Sequence, residues 1–170
     1  FSNFETMQPT MKYMHDIGIT GYVYNCGDGH IAAFNELRNY LLCKLQWDVN
    51  CDVEYHMVDF LKAYYGEEAT PYIKQIIDIQ TAQTKVSAHA FDFDWHYQAG
   101  FYPMNVAVAL DGLWEKALTA DITEEQLFNV ETANLSWEYF KANQFLDKYT
   151  ILNPFRHKRI EELYDSMLEH

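Results

Sequence analysis

Apolar residues recur along most of this chain at spacings of three and four, the period of an α-helix with one buried face. Phe34, Leu37, Leu41 and Leu45 form the first such stripe. Val53, Met57, Phe60, Leu61 and Tyr64 form the second. Asp52 opens that second helix, since its carboxylate suits the free amides of a first turn, and Gly66 closes it. A third helix starts between Glu67 and Pro71, because Pro is tolerated only in a first turn. Ile73, Ile76 and Ile77 anchor it, and it fades near Ala90. A fourth stripe runs through Leu110, Leu113, Trp114, Ala117 and Leu118. The fifth opens on Thr123-x-x-Gln126, a capping box in which two side chains satisfy otherwise orphaned amides. It continues through Leu127, Val130, Ala133, Trp137 and Phe140. A last helix takes Asn153 as cap and Pro154 as first residue, then Ile160, Leu163, Tyr164 and Met167.

Ahead of these stripes, Thr10 to Asp16 predicts a short helix that Gly18 ends. Ile19 to Asn25, rich in β-branched and aromatic residues, predicts one strand. It enters the polar turn Asn25-Cys26-Gly27-Asp28-Gly29-His30. The expected class is mainly α: a bundle of about five helices after one short strand. A lone strand leaves amides and carbonyls unsatisfied, so its partners are expected outside this chain or in a second copy. Phe1 without a preceding Met suggests an internal start within a longer protein, and Leu168-Glu169-His170 reads as the remnant of an expression tag. Residues 31–167 are then the helical region.

Composition narrows the function classes. The 170 residues suffice for one domain with a real core, and 49% are apolar, which argues against disorder. Twenty-five acidic residues against 12 basic ones give a formal charge of −13. Nucleic acid and anionic membranes need a basic face, so neither is an expected partner. No apolar run is long enough to span a bilayer. Cys26, Cys43 and Cys51 are an odd number without a CxxC pair, so neither a disulfide framework nor a zinc site is indicated. Cys43, inside a helical stretch, reads as a small core residue. No cofactor is implied.

From Ile17 to Ile79 the order of residues carries a resemblance. It comprises Ile17-Gly18-Ile19-Thr20-Gly21, then Glu36-Leu37-Arg38 through Leu45-Gln46-Trp47-Asp48, then Asp59-Phe60-Leu61-Lys62-Ala63-Tyr64-Tyr65-Gly66, with Ala69, Pro71 and Tyr72 after it. This resembles the C-terminal part of a glycoside-hydrolase-like family known as domain of unknown function 4838, found in polysaccharide-degrading bacteria. Val49 departs from the pattern, which has Pro after the Trp-Asp pair. The resemblance implies a large protein laid out like bacterial α-glucuronidases, with a central (β/α)-barrel followed by helices. Residues 1–30 would then be a barrel remnant, and the turn after the strand would face the barrel mouth, where barrel enzymes place their sites. It further implies an oligo- or polysaccharide ligand, a periplasmic or extracellular parent, and hydrolysis that requires two carboxylates contributed by the intact protein. The helices alone would be inactive.

Within that frame Asn25, Asp28 and His30 can hydrogen-bond sugar hydroxyls, although Asn and Asp equally shape such a turn through their own backbone. Cys26 reads as a structural thiol, since no paired base accompanies it. Glu36 reads as an anion set against a helix N-terminus rather than a buried acid, and Arg38 as an ion-pair partner at the surface or between helices. In the loop from His89 to Tyr102, Trp95, Tyr97, Phe101 and Tyr102 offer flat faces for pyranose rings, with Asp92 and Asp94 as acceptors. The competing reading has these aromatics plugging the space between two helices. A metal site from His89, Asp92, Asp94 and His96 matches no known ligand spacing, so none is expected. Trp114 and Trp137 read as core. The main rival to the carbohydrate reading is a non-catalytic helical module that docks on another domain or forms a homodimer. A small metal-dependent enzyme built on the aromatic loop ranks last.

Overall fold

The computed structural model describes residues 4–21, 33–86 and 101–146, together with Asp165. They form six helices: α1 (Phe4–Asp16), α2 (Asn35–Trp47), α3 (Val53–Tyr65), α4 (Thr70–Val86), α5 (Met104–Leu118) and α6 (Glu124–Leu146). The fold is mainly α. Successive helices pack on one another: α4 lies most extensively against α5, α2 against α3, and α3 against α4. α6 closes the bundle across α3 and α5, and α1 leans on α2.

The stripes read from the sequence are the buried faces. Leu37, Leu41 and Leu45 of α2, Leu61 of α3, Ile73, Ile76 and Ile77 of α4, and Leu110, Trp114 and Ala117 of α5 are all buried. Val130, Ala133 and Trp137 bring α6 onto them. The caps follow local chemistry. The Asp52 carboxylate accepts from the Tyr55 amide at 3.0 Å. Thr123 and Gln126 exchange reciprocal hydrogen bonds, each 3.2 Å long, so the capping box forms as expected. At the end of α1, Gly18 adopts φ +82°. The Gly18 amide donates to the His15 carbonyl and the Ile19 amide to that of Met14, the paired bonds of a Schellman ending.

Three expectations need correction. The first helix begins at Phe4, not Thr10, with Pro9 inside it. An interior Pro forfeits a backbone hydrogen bond and costs about 3 kcal/mol, yet Phe4, Met7 and Met11 share the face that α1 buries, and that burial outweighs the loss. Ile19 to Gly21 are not in a strand; the Schellman bond from the Ile19 amide already turns the chain there, and the remainder of the expected strand lies outside the described residues. Cys43 is exposed, because it points away from the Leu37–Leu41–Leu45 face of α2. Phe101 and Tyr102 are buried, in line with the reading that they fill space between helices rather than stack on a sugar. The expected helix from Asn153 lies outside the described residues apart from Asp165.

Candidate functional site

The residues singled out for ligand contact, Asn25, Asp28, His30, Trp95 and Tyr97, lie outside the described residues, as do Cys26, His89, Asp92, Asp94 and His96. The structure does show how the two segments that carry them are moored. The first is followed by Phe34, the residue before α2, which sits in the left-handed region at φ 63°, ψ 23° without a side-chain cap. That conformation costs a non-glycine residue roughly 1–2 kcal/mol. Phe34 holds it because its buried ring stacks on Trp114, centroids 6.1 Å apart, and meets Tyr65 edge-on at 6.2 Å.

The second segment is followed by Phe101 and Tyr102, whose rings meet edge to face at 4.7 Å. Tyr102 also packs edge-on against Trp137 at 5.4 Å and Phe140 at 5.1 Å. The Gln83 side-chain amide of α4 donates to the Phe101 carbonyl at 2.7 Å. These two aromatics therefore plug the space between helices, as the structural alternative expected.

Beside this mooring lies a polar cluster between α5 and α6. One oxygen of Asp111 accepts from both the Trp137 indole N–H and the Lys141 ammonium, each at 2.7 Å. Lys141 also reaches Glu138 at 2.8 Å. Burial works to lower the Lys141 pKa, but the hydrogen bonds it donates to Asp111 and Glu138 outweigh it and the net shift is upward. Lys74, held between Asp78 at 2.7 Å and Glu54 at 3.2 Å, follows the same balance. Both ammonium groups stay charged at neutral pH, so neither serves as a base or amine nucleophile. With an ammonium seated between them, Asp111 and Glu138 lack the open gap that a glycosidic oxygen would need. The cluster ties α6 to α5.

Glu36 lies exposed in the first turn of α2, where its charge favours the helix and raises the phenol of nearby Tyr64, after burial, which is the larger cause. Arg38 lies over the Phe4 ring at 5.9 Å and thereby helps seat α1. Among the described residues no group of His, Cys, Asp and Glu could hold a metal ion, and no helix is long and apolar enough to cross a membrane.

One residue with recognition potential was present in the sequence motif but not read as a contact. Trp47, the last residue of α2, is 93% exposed. It stands at the turn into α3. Its signal was its place beside Asp48 at a helix end, away from the Leu37–Leu41–Leu45 stripe.

No significant match to the chain occurs among curated proteins or solved structures. Residues 1–78, which run from α1 into the middle of α4, match the family described as Domain of unknown function (DUF4838).

Proposed function

We propose that the chain is the C-terminal helical segment of a carbohydrate-active, glycoside-hydrolase-like protein, which packs on a (β/α)-barrel and lines one edge of its sugar cleft. The family match over residues 1–78 carries this reading, joined to the resemblance to barrel proteins of polysaccharide-degrading bacteria. Tyr13, Ile17 and Ile19 support the docking part. They are apolar, exposed and gathered at the end of α1, next to the segment that holds Asn25, Asp28 and His30, and large exposed apolar groups of this kind mark interaction surfaces. In this reading those polar residues and Trp95 and Tyr97 face the sugar, the intact protein supplies the catalytic carboxylates, and it works in the periplasm or outside the cell.

The test uses the full-length protein. Asn25→Ala, Asp28→Ala and Trp95→Ala should each weaken oligosaccharide binding or turnover while leaving the melting temperature within a few degrees of the parent. Undiminished sugar binding in all three would remove the site assignment, and a full-length protein inert to both neutral and uronic glycans would remove the carbohydrate reading.

The second reading is a non-catalytic helical module that docks or dimerises. Met104 and Val108, one turn apart on α5, are exposed at 64% and 62% and give it a specific surface. Light scattering on the full-length protein separates the two, because a dimerising module dimerises with any barrel present.

A further inference from the structure

α6 carries two apolar rows. Val130, Ala133 and Trp137 are buried in the core. Phe128, Thr132, Leu135 and Tyr139 repeat at the same helical spacings of four, three and four. At 3.6 residues per turn this second row lies about half a turn round the helix from the first. The Thr132 hydroxyl is already satisfied by the Phe128 carbonyl at 2.8 Å, so the row makes no polar demand at that position. A helix that is apolar on opposite sides is one that is covered on both.

The exposure of α6 shows that cover. Along its first two turns Glu124, Glu125, Phe128 and Glu131 are exposed, as on a surface helix. From Thr132 to Lys141 no residue is exposed, so every side of the helix is shielded there. α3 and α5 are the described helices that pack most on α6. α3 meets it at Gln126 and Asn129, and α5 at Trp137 and Lys141. Those four residues all lie on the Val130 side of the helix. The cover over Leu135 and Tyr139 therefore comes from another stretch of chain.

The sequence after α6 has the matching shape. Beyond Leu146, Asn153 and Pro154 are helix-start residues, and Ile160, Leu163, Tyr164 and Met167 make one apolar row. Asp165, the described residue of that stretch, is helical, off the row and exposed. Residues 147–152 form a connection of ordinary length between antiparallel helices, about 2–8 residues. Folding back so that Asn153 pairs with Leu146 sets Ile160 level with Tyr139, Tyr164 with Leu135 and Met167 with Thr132. The row then stops short of Phe128, which is 44% exposed. The other stretch outside the description near this end, 87–100, carries Phe91, Phe93, Trp95 and Tyr97 at alternate positions, a period that does not follow a helix row.

We propose that the outward face of α6, centred on Leu135 and Tyr139, is the docking site of this chain's own residues 153–167, which fold back on it as an antiparallel helix with Leu163 and Tyr164 inward. The pairing is independent of the carbohydrate reading and stands or falls without it.

The experiment is a double-mutant cycle in the 170-residue protein, with Leu135→Ala, Leu163→Ala and the two combined. Melting temperature and hydrogen exchange across residues 132–141 are the readouts. Each single variant should lower the melting temperature by several degrees, and the double variant by clearly less than the two losses added. Phe128→Ala, beyond the row, should add fully to Leu163→Ala. Leu163→Asp should expel the segment and speed exchange across 132–141 by about tenfold or more, while amides around Ile76 of α4 keep the parent's protection. That readout decides alone where Leu135→Ala does not fold. Additive losses, an unmoved melting temperature in Leu163→Ala or unchanged exchange in Leu163→Asp would each overturn the docking. A molar mass that falls from dimer to monomer in Leu163→Asp would overturn it too, because a second copy then covers the face.

Discussion

The Phe34 ring lies parallel to that of Trp114, with centroids 6.1 Å apart and planes inclined by 8°. This contact holds a non-glycine residue in the left-handed region at the entry to α2, so side-chain packing and backbone strain oppose each other at one position.

Removing the ring separates the two terms. Phe34→Ala should cost about 3–5 kcal/mol, the usual cost of truncating a buried Phe, because Ala keeps the strain and loses the stacking. Phe34→Gly also loses the stacking but adopts positive φ freely, so it should be the more stable of the two by about 1 kcal/mol. That reverses the ordinary Ala-over-Gly order. Urea denaturation of both variants checks it, and Ala more stable than Gly would show that the strain is negligible.

Two glycines with positive φ should respond differently to the same change. A Cβ on Gly66 would meet Ile122 Cγ2 at 2.5 Å and Gln126 Oε1 at 2.8 Å, whereas one on Gly18 meets nothing within 4 Å. Gly18→Ala should cost about 1 kcal/mol from backbone strain alone. Gly66→Ala adds overpacking where α3 meets the α5–α6 connection and should cost about 2–4 kcal/mol. Thermal unfolding of the pair reads the difference directly.

Asp111 serves two donors, so its variants should split by what they retain. Asp111→Asn keeps an acceptor for the Trp137 N–H but gives up its charge partnership with Lys141. Asp111→Ala loses both and leaves a half-buried ammonium with Glu138 alone. The expected costs are about 1 kcal/mol for Asn and about 2–3 kcal/mol for Ala, since unsatisfied buried donors cost more than a single net hydrogen bond contributes. Denaturant midpoints at low and high salt check both values. Equal losses would mean that the Trp137 bond contributes nothing.

Alkali should destabilise the fold more than titration of exposed groups would. Burial raises the phenols of Tyr65 and Tyr102 above their ordinary value of 10.0, and the carboxylates around Lys74 and Lys141 hold those ammonium groups above 10.5 despite their burial. For all four the folded pKa exceeds the unfolded one. Their contribution is therefore fully present below the ordinary values and is lost as pH rises through the higher folded values. Urea midpoints should hold near neutral pH and fall between about pH 10 and pH 12. Tyr102→Phe should flatten that fall, because Phe has no proton to lose. An unchanged slope in the variant would remove Tyr102 as a cause.

Helix existence was legible because it rests on short-range periodicity. Leu37–Leu41–Leu45 and Leu110–Leu113–Trp114 needed no knowledge of their partners to be read as buried faces. Caps at Asp52, Gly18 and Thr123–Gln126 were legible for the same reason, since donor and acceptor lie within a few residues of each other. Cys43 was misread because lying within a helical stretch says nothing by itself about which face a residue takes. Phe101 and Tyr102 were left open because residues outside a helix have no period to reveal their inward direction.

Local sequence thus determined the positions of most helices, the caps that begin and end several of them, and a formal charge of −13. Tertiary structure decided the rest, because those outcomes depend on groups far apart in the chain. It carried α1 through Pro9, since burying Phe4, Met7 and Met11 outweighs one lost hydrogen bond. It turned Phe101 and Tyr102 inward, where Trp137 and Phe140 supply the facing rings. It left Trp47 in water, because the helix-end turn that Gln8 clamps from α1 holds that side chain beyond the reach of the core.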